Sequence, residues 1–397
     1  MEGLNIHPEV AELYPELLEI RRGFHKNPEL LFELPKTSAF IIEYLQSLNI
    51  EVHTEVGKIG VVGVIRGEGP CILLRADMDA LPIEELKESD YKSSNPGAMH
   101  ACGHDAHMAM LLVAAKVISR HRDKVKGSIK FMFQPAEEGG HGARFMRDDP
   151  LYPILDSEPR VDEVYAIHVE PQMKSGDFFC SDKFSSSCCD DFSIEIHGKG
   201  GHGSAPFLCI DPVVIASELV LALQTIVPRN INTKYQSVIS VCSIKAGETY
   251  NAIPDSCILL GTIRTYEKEV REQIIQRATE ICEGLGIANN TKITFKIDPG
   301  YGAIINDPKC IEKSVDTFKK VSPNAVRYMG YPMYGEDFSY LTDVRPGCFI
   351  GLGCNPGERG AVLHSPNFNI DERAMMIGSS WFIQLINDQL CSNEDLI

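Results

Sequence analysis

Between residues 191 and 298 the chain reads strand, helix, strand, strand, helix, strand. The strands are the apolar or alternating stretches at 191–197, 236–246, 255–265 and 291–298, and the helical stretches are 211–227 and 267–285. This βαββαβ order is that of the split ferredoxin-like unit. Two helices cover one face of its sheet, and its edge strands stay available for pairing. Whatever lies on either side belongs to another body, which the chain leaves and later re-enters.

The flanks have a different texture. Helical patterns at 9–23, 36–48 and 105–121 are interspersed with apolar extended runs at 61–65, 71–76, 128–133 and 163–169. After "DPGYGA" come a helix at 307–320, strands near 324–330 and 347–353, and a long helix at 371–390. Strands alternating with helices predict an α/β layer with a mostly parallel sheet. At 397 residues the chain suits two domains. The expected division is a larger domain of residues 1–186 and 300–397, with a smaller one, 187–299, inserted.

The formal charge of -17 gives no attraction to nucleic acid or to an anionic membrane, so neither is expected as a partner. No apolar run reaches the roughly 18 residues of a membrane span. The start "MEGLNIHPEV" has neither the basic residues nor the apolar stretch of a secretion signal, which predicts a cytoplasmic protein. In that setting most of the 13 cysteines are expected to be reduced, buried, small hydrophobes.

One segment breaks that pattern. "MHACGHDAHMAM" (99–110) sets Cys102, His104, Asp105 and His107 just ahead of an apolar helix. A metal site, a nucleophilic cysteine and a helix start are all compatible with it. Further candidates follow other strands: Asp77 and Asp79 after "CILLRA", Glu137 and Glu138 in "FQPAEEGG", His168 in "VYAIH" and His364 in "VLHSPNF". Ligands of open α/β sheets bind beyond the carboxyl ends of the strands, so groups distant in sequence can meet there. Cys-x-His supplies two metal ligands at close spacing, though the pair alone does not fix the metal.

Nine segments in order, "RRGFHKNPELLFE", "RADMDALPI", "MHACGHDAHMAML", "FQPAEEGGHGA", "GKGGHGSAP", "YNAIPD", "GTIRT", "GEDFSY" and "HSPNFNIDE", resemble the dinuclear metallo-amidohydrolases and aminoacylases. That family includes hippurate hydrolase, auxin-conjugate hydrolases and N-acyl-amino-acid deacylases. The resemblance implies an α/β metallo-exopeptidase-like catalytic domain with an inserted ferredoxin-like lid and dimerisation domain. It implies two divalent ions per subunit, with Zn, Mn, Ni and Co all admissible. Cys102, His104, Glu138, His168 and His364 would be their ligands, the Cys102 thiolate bridging both. Glu137 would be the general base, and Asp79 would orient a histidine ligand. His202 would donate to the oxyanion, Arg264 would hold the substrate carboxylate, and Asn251 would add a polar contact. The implied activity is hydrolysis of N-acyl amino acids by a homodimer paired through the lid, with His202 serving the partner's site.

The resemblance assigns no firm role to His107, expected to be packed or solvated, or to Asp105, expected to cap its helix. His141 is unassigned too. Phe207 and Tyr334 depart from the usual pattern, which leaves the acyl and side-chain preference open. Two alternatives keep the metal site: a dipeptidase or carboxypeptidase, and a non-catalytic metal-binding dimer. The presence of Glu137, needed purely for chemistry, opposes the second.

Overall fold

The computed structural model describes residues 3–322, 326–328 and 333–391. The chain divides into two compact units. The first comprises Met1–Ser185, Ile304–Gly330 and Asp337–Ile397, and the second Ser186–Ala303 and Tyr331–Glu336.

The first unit is built on an eight-stranded sheet. Its strand order is Glu51–Val56, Gly60–Ile65, Ser128–Gln134, Cys71–Asp77, Glu163–Glu170, Gly347–Gly353, Phe178–Cys180 and Val326–Tyr328. The four central strands, from Ser128–Gln134 to Gly347–Gly353, run parallel. The antiparallel pairings lie towards the two ends of the sheet. The central strands are buried on both faces, which explains why they read as continuous apolar runs. Helices His104–Arg120 and Ala374–Leu390 are buried along nearly their whole length. Trp381, fully buried in the second, stacks against Phe318, which stacks in turn against Phe178.

Sequence periodicity overlooks the edge strand Glu51–Val56. Of "EVHTEV" only Val56 is buried, so the strand lacks the apolar signal of its neighbours. The strand near 324–330 is described only over Val326–Tyr328, and the rest of it lies outside the described residues.

The second unit has the ferredoxin-like order. Its strands lie as Ile293–Asp298, Cys188–His197, Ser256–Thr265 and Ser237–Lys245, all antiparallel. Helices Pro212–Leu223 and Lys268–Ala288 pack on the face that carries Ile194, Ile196, Leu259 and Ile263. The helix expected over 211–227 breaks after Leu223 and resumes as Ile226–Asn230. Pro228 lacks an N–H and crowds the carbonyl four residues back, at Gln224, where the helix stops. A two-stranded ribbon, Gly201–His202 with Ala252–Ile253, completes the unit.

Among the described residues, no helix is long and apolar enough to cross a membrane.

Candidate metal centre

The loops at the carboxyl ends of the central parallel strands carry most of the candidate site residues. Strand Cys71–Asp77 leads to Asp79, strand Ser128–Gln134 to Glu137 and Glu138, and strand Glu163–Glu170 holds His168 near its end. Cys102 and His104 flank Gly103 at the start of helix His104–Arg120. Gly103 has φ +90°, and a Cβ there would lie 2.3 Å from the Val169 side chain, so only glycine fits.

Cys102, His104 and His168 place one ligand atom each within 4.8 Å of the others, and so do Cys102, Glu138 and His364. The two groups share the Cys102 sulfur. His168 Nε2 lies 3.4 Å from Cys102 Sγ, and His364 Nε2 lies 3.2 Å from Glu138 Oε1. The five residues expected as ligands therefore lie in one spatial cluster.

The hydrogen bonds set the ring tautomers. His104 Nδ1 donates to the Asp79 carbonyl at 2.7 Å, and His168 Nδ1 donates to the Val169 carbonyl at 2.8 Å. Each ring then presents an unprotonated Nε2, the form a metal needs. His104 Nε2 is buried with no hydrogen-bond partner. Burial, then the Glu138 and Glu137 carboxylates, push the Cys102 thiol well above its usual range. Burial works against ionisation of Glu138, but His364 and His104 outweigh it and hold the carboxyl down. A thiol, two carboxylates and three imidazoles packed together, with His104 Nε2 left without a partner, form a donor set that divalent cations fit.

Glu137 is only 6 % exposed, and one of its carboxylate oxygens lies within 4.8 Å of ligand atoms of His104 and Glu138. Its loop is held in uncommon backbone geometry. Ala136, immediately before it, and His141, shortly after, have φ of +52° and +57°, and His364 has +58°. Positive φ in residues other than glycine is costly and marks a backbone held by its surroundings.

The structure changes the reading of Asp79. Its carboxylate accepts the main-chain N–H groups of Glu137 at 2.9 Å and Glu138 at 3.1 Å. The His104 ring is held instead by the Asp79 main-chain carbonyl, and its Nδ1 is 3.8 Å from the nearer carboxylate oxygen. Asp79 thus orients the histidine with its backbone and the glutamate pair with its side chain. Burial, and then Glu138, push its carboxyl well up.

Asp105 is not a cap. Helix His104–Arg120 starts after Gly103 with no side-chain cap, and Asp105 faces inward. Its Oδ2 accepts from Arg21 Nε at 3.0 Å and lies 2.8 Å from His25 Nδ1. Arg21 also reaches Glu372 at 2.8 Å. The motif "RRGFHK" therefore supplies the buried partners of the ligand-bearing turn. His107 is packed, with both ring nitrogens bonded. The Asp337 carboxylate of "GEDFSY" accepts from Gln134, Arg75 and the Ala143 N–H, so this motif anchors the glutamate loop. His141 Nδ1 lies 2.9 Å from the Tyr340 hydroxyl.

The other three expected residues lie in the second unit. His202 is exposed on the ribbon, where its Nδ1 accepts the Ser204 N–H at 3.2 Å and lies 2.8 Å from Ser204 Oγ. An amide can only donate, so Nδ1 is unprotonated and Nε2 carries the proton. Asn251 adjoins this ribbon, its carbonyl accepting the Gly203 N–H at 2.9 Å. Arg264, on the central strand Ser256–Thr265, bonds Thr262 Oγ1 and the Ile263 carbonyl. Phe207 is 83 % exposed and Tyr334 is 48 % exposed.

Comparison with known proteins gives consistent matches. Residues 73–388 match the profile of peptidase family M20/M25/M40. The chain is 37% identical over 388 residues to the N-acetyl-L-cysteine deacetylase of Bacillus subtilis (strain 168), covering 97% of this chain and 91% of that protein. It is 33% identical over 386 residues to the hippurate hydrolase of Campylobacter jejuni, covering 96% and 98%. Among solved structures, the Bacillus subtilis YXEP protein, described as a dinuclear metal-binding peptidase of the M20 family, superposes with a TM-score of 0.81. That match has 30% identity and covers 95% of this chain and 98% of that one.

Proposed function

The chain belongs to peptidase family M20/M25/M40, and from that premise we propose that it is a metal-dependent amidohydrolase cleaving the amide bond of N-acyl amino acids. One observation carries the reading. Two ligand triads share the Cys102 sulfur, and the buried carboxylate of Glu137 lies beside them. The deacetylase and hippurate hydrolase names of two relatives support the substrate class.

Cys102, His104 and His168 would hold one divalent cation, and Cys102, Glu138 and His364 a second. Bound cations would polarise the amide carbonyl and lower the pKa of water from 15.7 towards about 7. Glu137 takes a proton from the attacking water and returns it to the leaving nitrogen, a role typically worth about 10²–10⁴-fold. His202 donates its Nε2–H to the developing oxyanion, and Ser204 holds the ring in that tautomer. Arg264 pairs with the free carboxylate of the substrate, and Asn251 adds a polar contact. The mixed sulfur, nitrogen and oxygen donors admit Zn, Mn, Ni or Co.

We place the enzyme in the cytoplasm as a homodimer paired through the inserted unit, His202 of one copy acting at the metal centre of the other. Edge strand Ser237–Lys245 exposes Val238 and Ile244 on opposite faces of the sheet, and its outer backbone edge suits pairing with a second copy.

The test is a panel of N-acyl amino acids and dipeptides, run on protein stripped with EDTA and reloaded with each of the four metals. The expected result is loss on stripping, recovery on reloading and faster turnover of acyl substrates than of dipeptides. Faster turnover of dipeptides would make the protein a peptidase with the same centre. Full activity after stripping would remove the metal from the mechanism. For the dimer, His202→Ala mixed with Glu137→Gln should regain activity once subunits exchange.

A further inference from the structure

His107 lies three residues beyond His104 on the same helix and takes no place in the ligand set. Its Nε2 accepts the Val169 N–H at 2.9 Å. The ring proton is therefore on Nδ1, which donates to Asp77 Oδ1 at 2.6 Å. Arg75 Nη1 donates to Asp77 Oδ2 at 2.7 Å, and Arg75 Nη2 donates to Asp337 Oδ1 at 3.1 Å. The chain of contacts from Asp337 to His107 is buried throughout.

The position of His107 follows from the sheet. Strand Cys71–Asp77 pairs with strand Glu163–Glu170 only as far as Arg75 and Ala166. On the other side, strand Gly347–Gly353 pairs all the way to Glu170. The end of the strand that carries His168 thus has a ladder partner on one side only. His107 fills the open side by accepting the Val169 N–H. The Val169 carbonyl in turn accepts from His168 Nδ1. The rings of His107 and His168 also touch, their centroids 4.8 Å apart.

We propose that His107 is a positioning residue. Held by Asp77, Arg75 and Asp337, it fixes the backbone at Val169 and so aims His168 Nε2 at Cys102 Sγ. The inference rests on His168 being a metal ligand. His107 itself is not one, because both of its nitrogens are bonded. Glutamine in its place keeps an oxygen that can accept from Val169. Leucine keeps volume but loses the contact, and asparagine is too short to reach.

The experiment titrates metal-stripped protein with cobalt(II) and records the visible bands, which report ligand geometry at the metal. Wild type is compared with His107→Leu, His107→Asn, His107→Gln and His168→Ala, each checked for an intact melting transition. His107→Leu and His107→Asn should each bind one cobalt equivalent about 10–100-fold more weakly, as loss of a ligand's supporting partner does, with altered bands. His107→Gln should recover most of the affinity and the wild-type bands. If leucine does not fold, asparagine against glutamine carries the same comparison. Wild-type affinity and bands in whichever of leucine and asparagine folds would overturn the proposal. His168→Ala decides the underlying reading separately, because two tightly bound equivalents in that variant would show that His168 is no ligand.

Discussion

Replacing Asp79 with asparagine separates its two contacts. Asparagine leaves the main-chain carbonyl that binds His104 Nδ1 in place. It changes only the carboxylate, which receives the N–H groups of Glu137 and Glu138. With cations bound beside Glu138, which would offset the burial and repulsion that raise the Asp79 carboxyl, Asp79 acts as a charged acceptor, and hydrogen bonds to such an acceptor contribute about 1.5–3 kcal/mol each. Asparagine keeps one acceptor at about 1 kcal/mol and turns an NH₂ towards the other N–H. The gross loss is then about 2–5 kcal/mol. Asparagine also has no charge to bury, and burial is the main force opposing ionisation of Asp79. That offsets part of the loss, leaving a net destabilisation of about 1–3 kcal/mol. The effect on turnover is larger, since a displacement near 1 Å at a catalytic group can cost about 10²-fold. We expect Asp79→Asn to keep both metal equivalents and an almost unchanged KM, while kcat falls about 100-fold. The assay is metal analysis by mass spectrometry beside steady-state kinetics and a urea melt. Loss of a metal equivalent with unchanged stability would refute the reasoning, because the carboxylate would then serve the imidazole. An unchanged kcat would refute it as well, because the glutamate loop would not depend on Asp79.

The paired glutamates should separate cleanly. Glu137→Gln is expected to retain metal and lose about 10²–10⁴-fold in kcat, whereas Glu138→Gln should bind metal more weakly; the reverse pattern in metal analysis would swap base and ligand. If Arg264 pairs with the substrate carboxylate as proposed, Arg264→Ala should slow hydrolysis of N-acyl amino acids far more than that of the matching amides, which lack that charge. Equal losses on the two substrate series would make Arg264 structural. Arg21→Met removes a guanidinium whose Nε and Nη1 hold buried Asp105 and partly buried Glu372. It should cost about 3–5 kcal/mol in denaturant unfolding, as breaking a buried pair does, and a loss below about 1 kcal/mol would mean that His25 alone satisfies Asp105.

Much of this protein is legible in the sequence because the controlling signals are local. The apolar runs at 71–76, 128–133 and 163–169 announce strands buried on both faces, and each lies within an observed strand. The βαββαβ order of the inserted unit follows from periodicity alone. The motifs "HACGHD" and "QPAEEG" bring their ligand candidates together because a helix start and a strand end meet at the carboxyl ends of the central parallel strands. The tertiary structure decides what each polar group faces. Arg21 and Asp105 are 84 residues apart, and no spacing rule joins them. Asp79 looks alike in sequence whether its carbonyl or its carboxylate holds His104, and only the fold shows that it is the carbonyl. Whether an imidazole offers Nε2 or Nδ1 depends on a single hydrogen bond: to Asp79 for His104, Val169 for His168 and Ser204 for His202. The physical reason is common to all of these. Burying apolar surface is non-directional, so a residue pattern suffices to forecast it. A buried polar atom needs a particular partner at about 3 Å, and that partner exists only once the chain has closed upon itself.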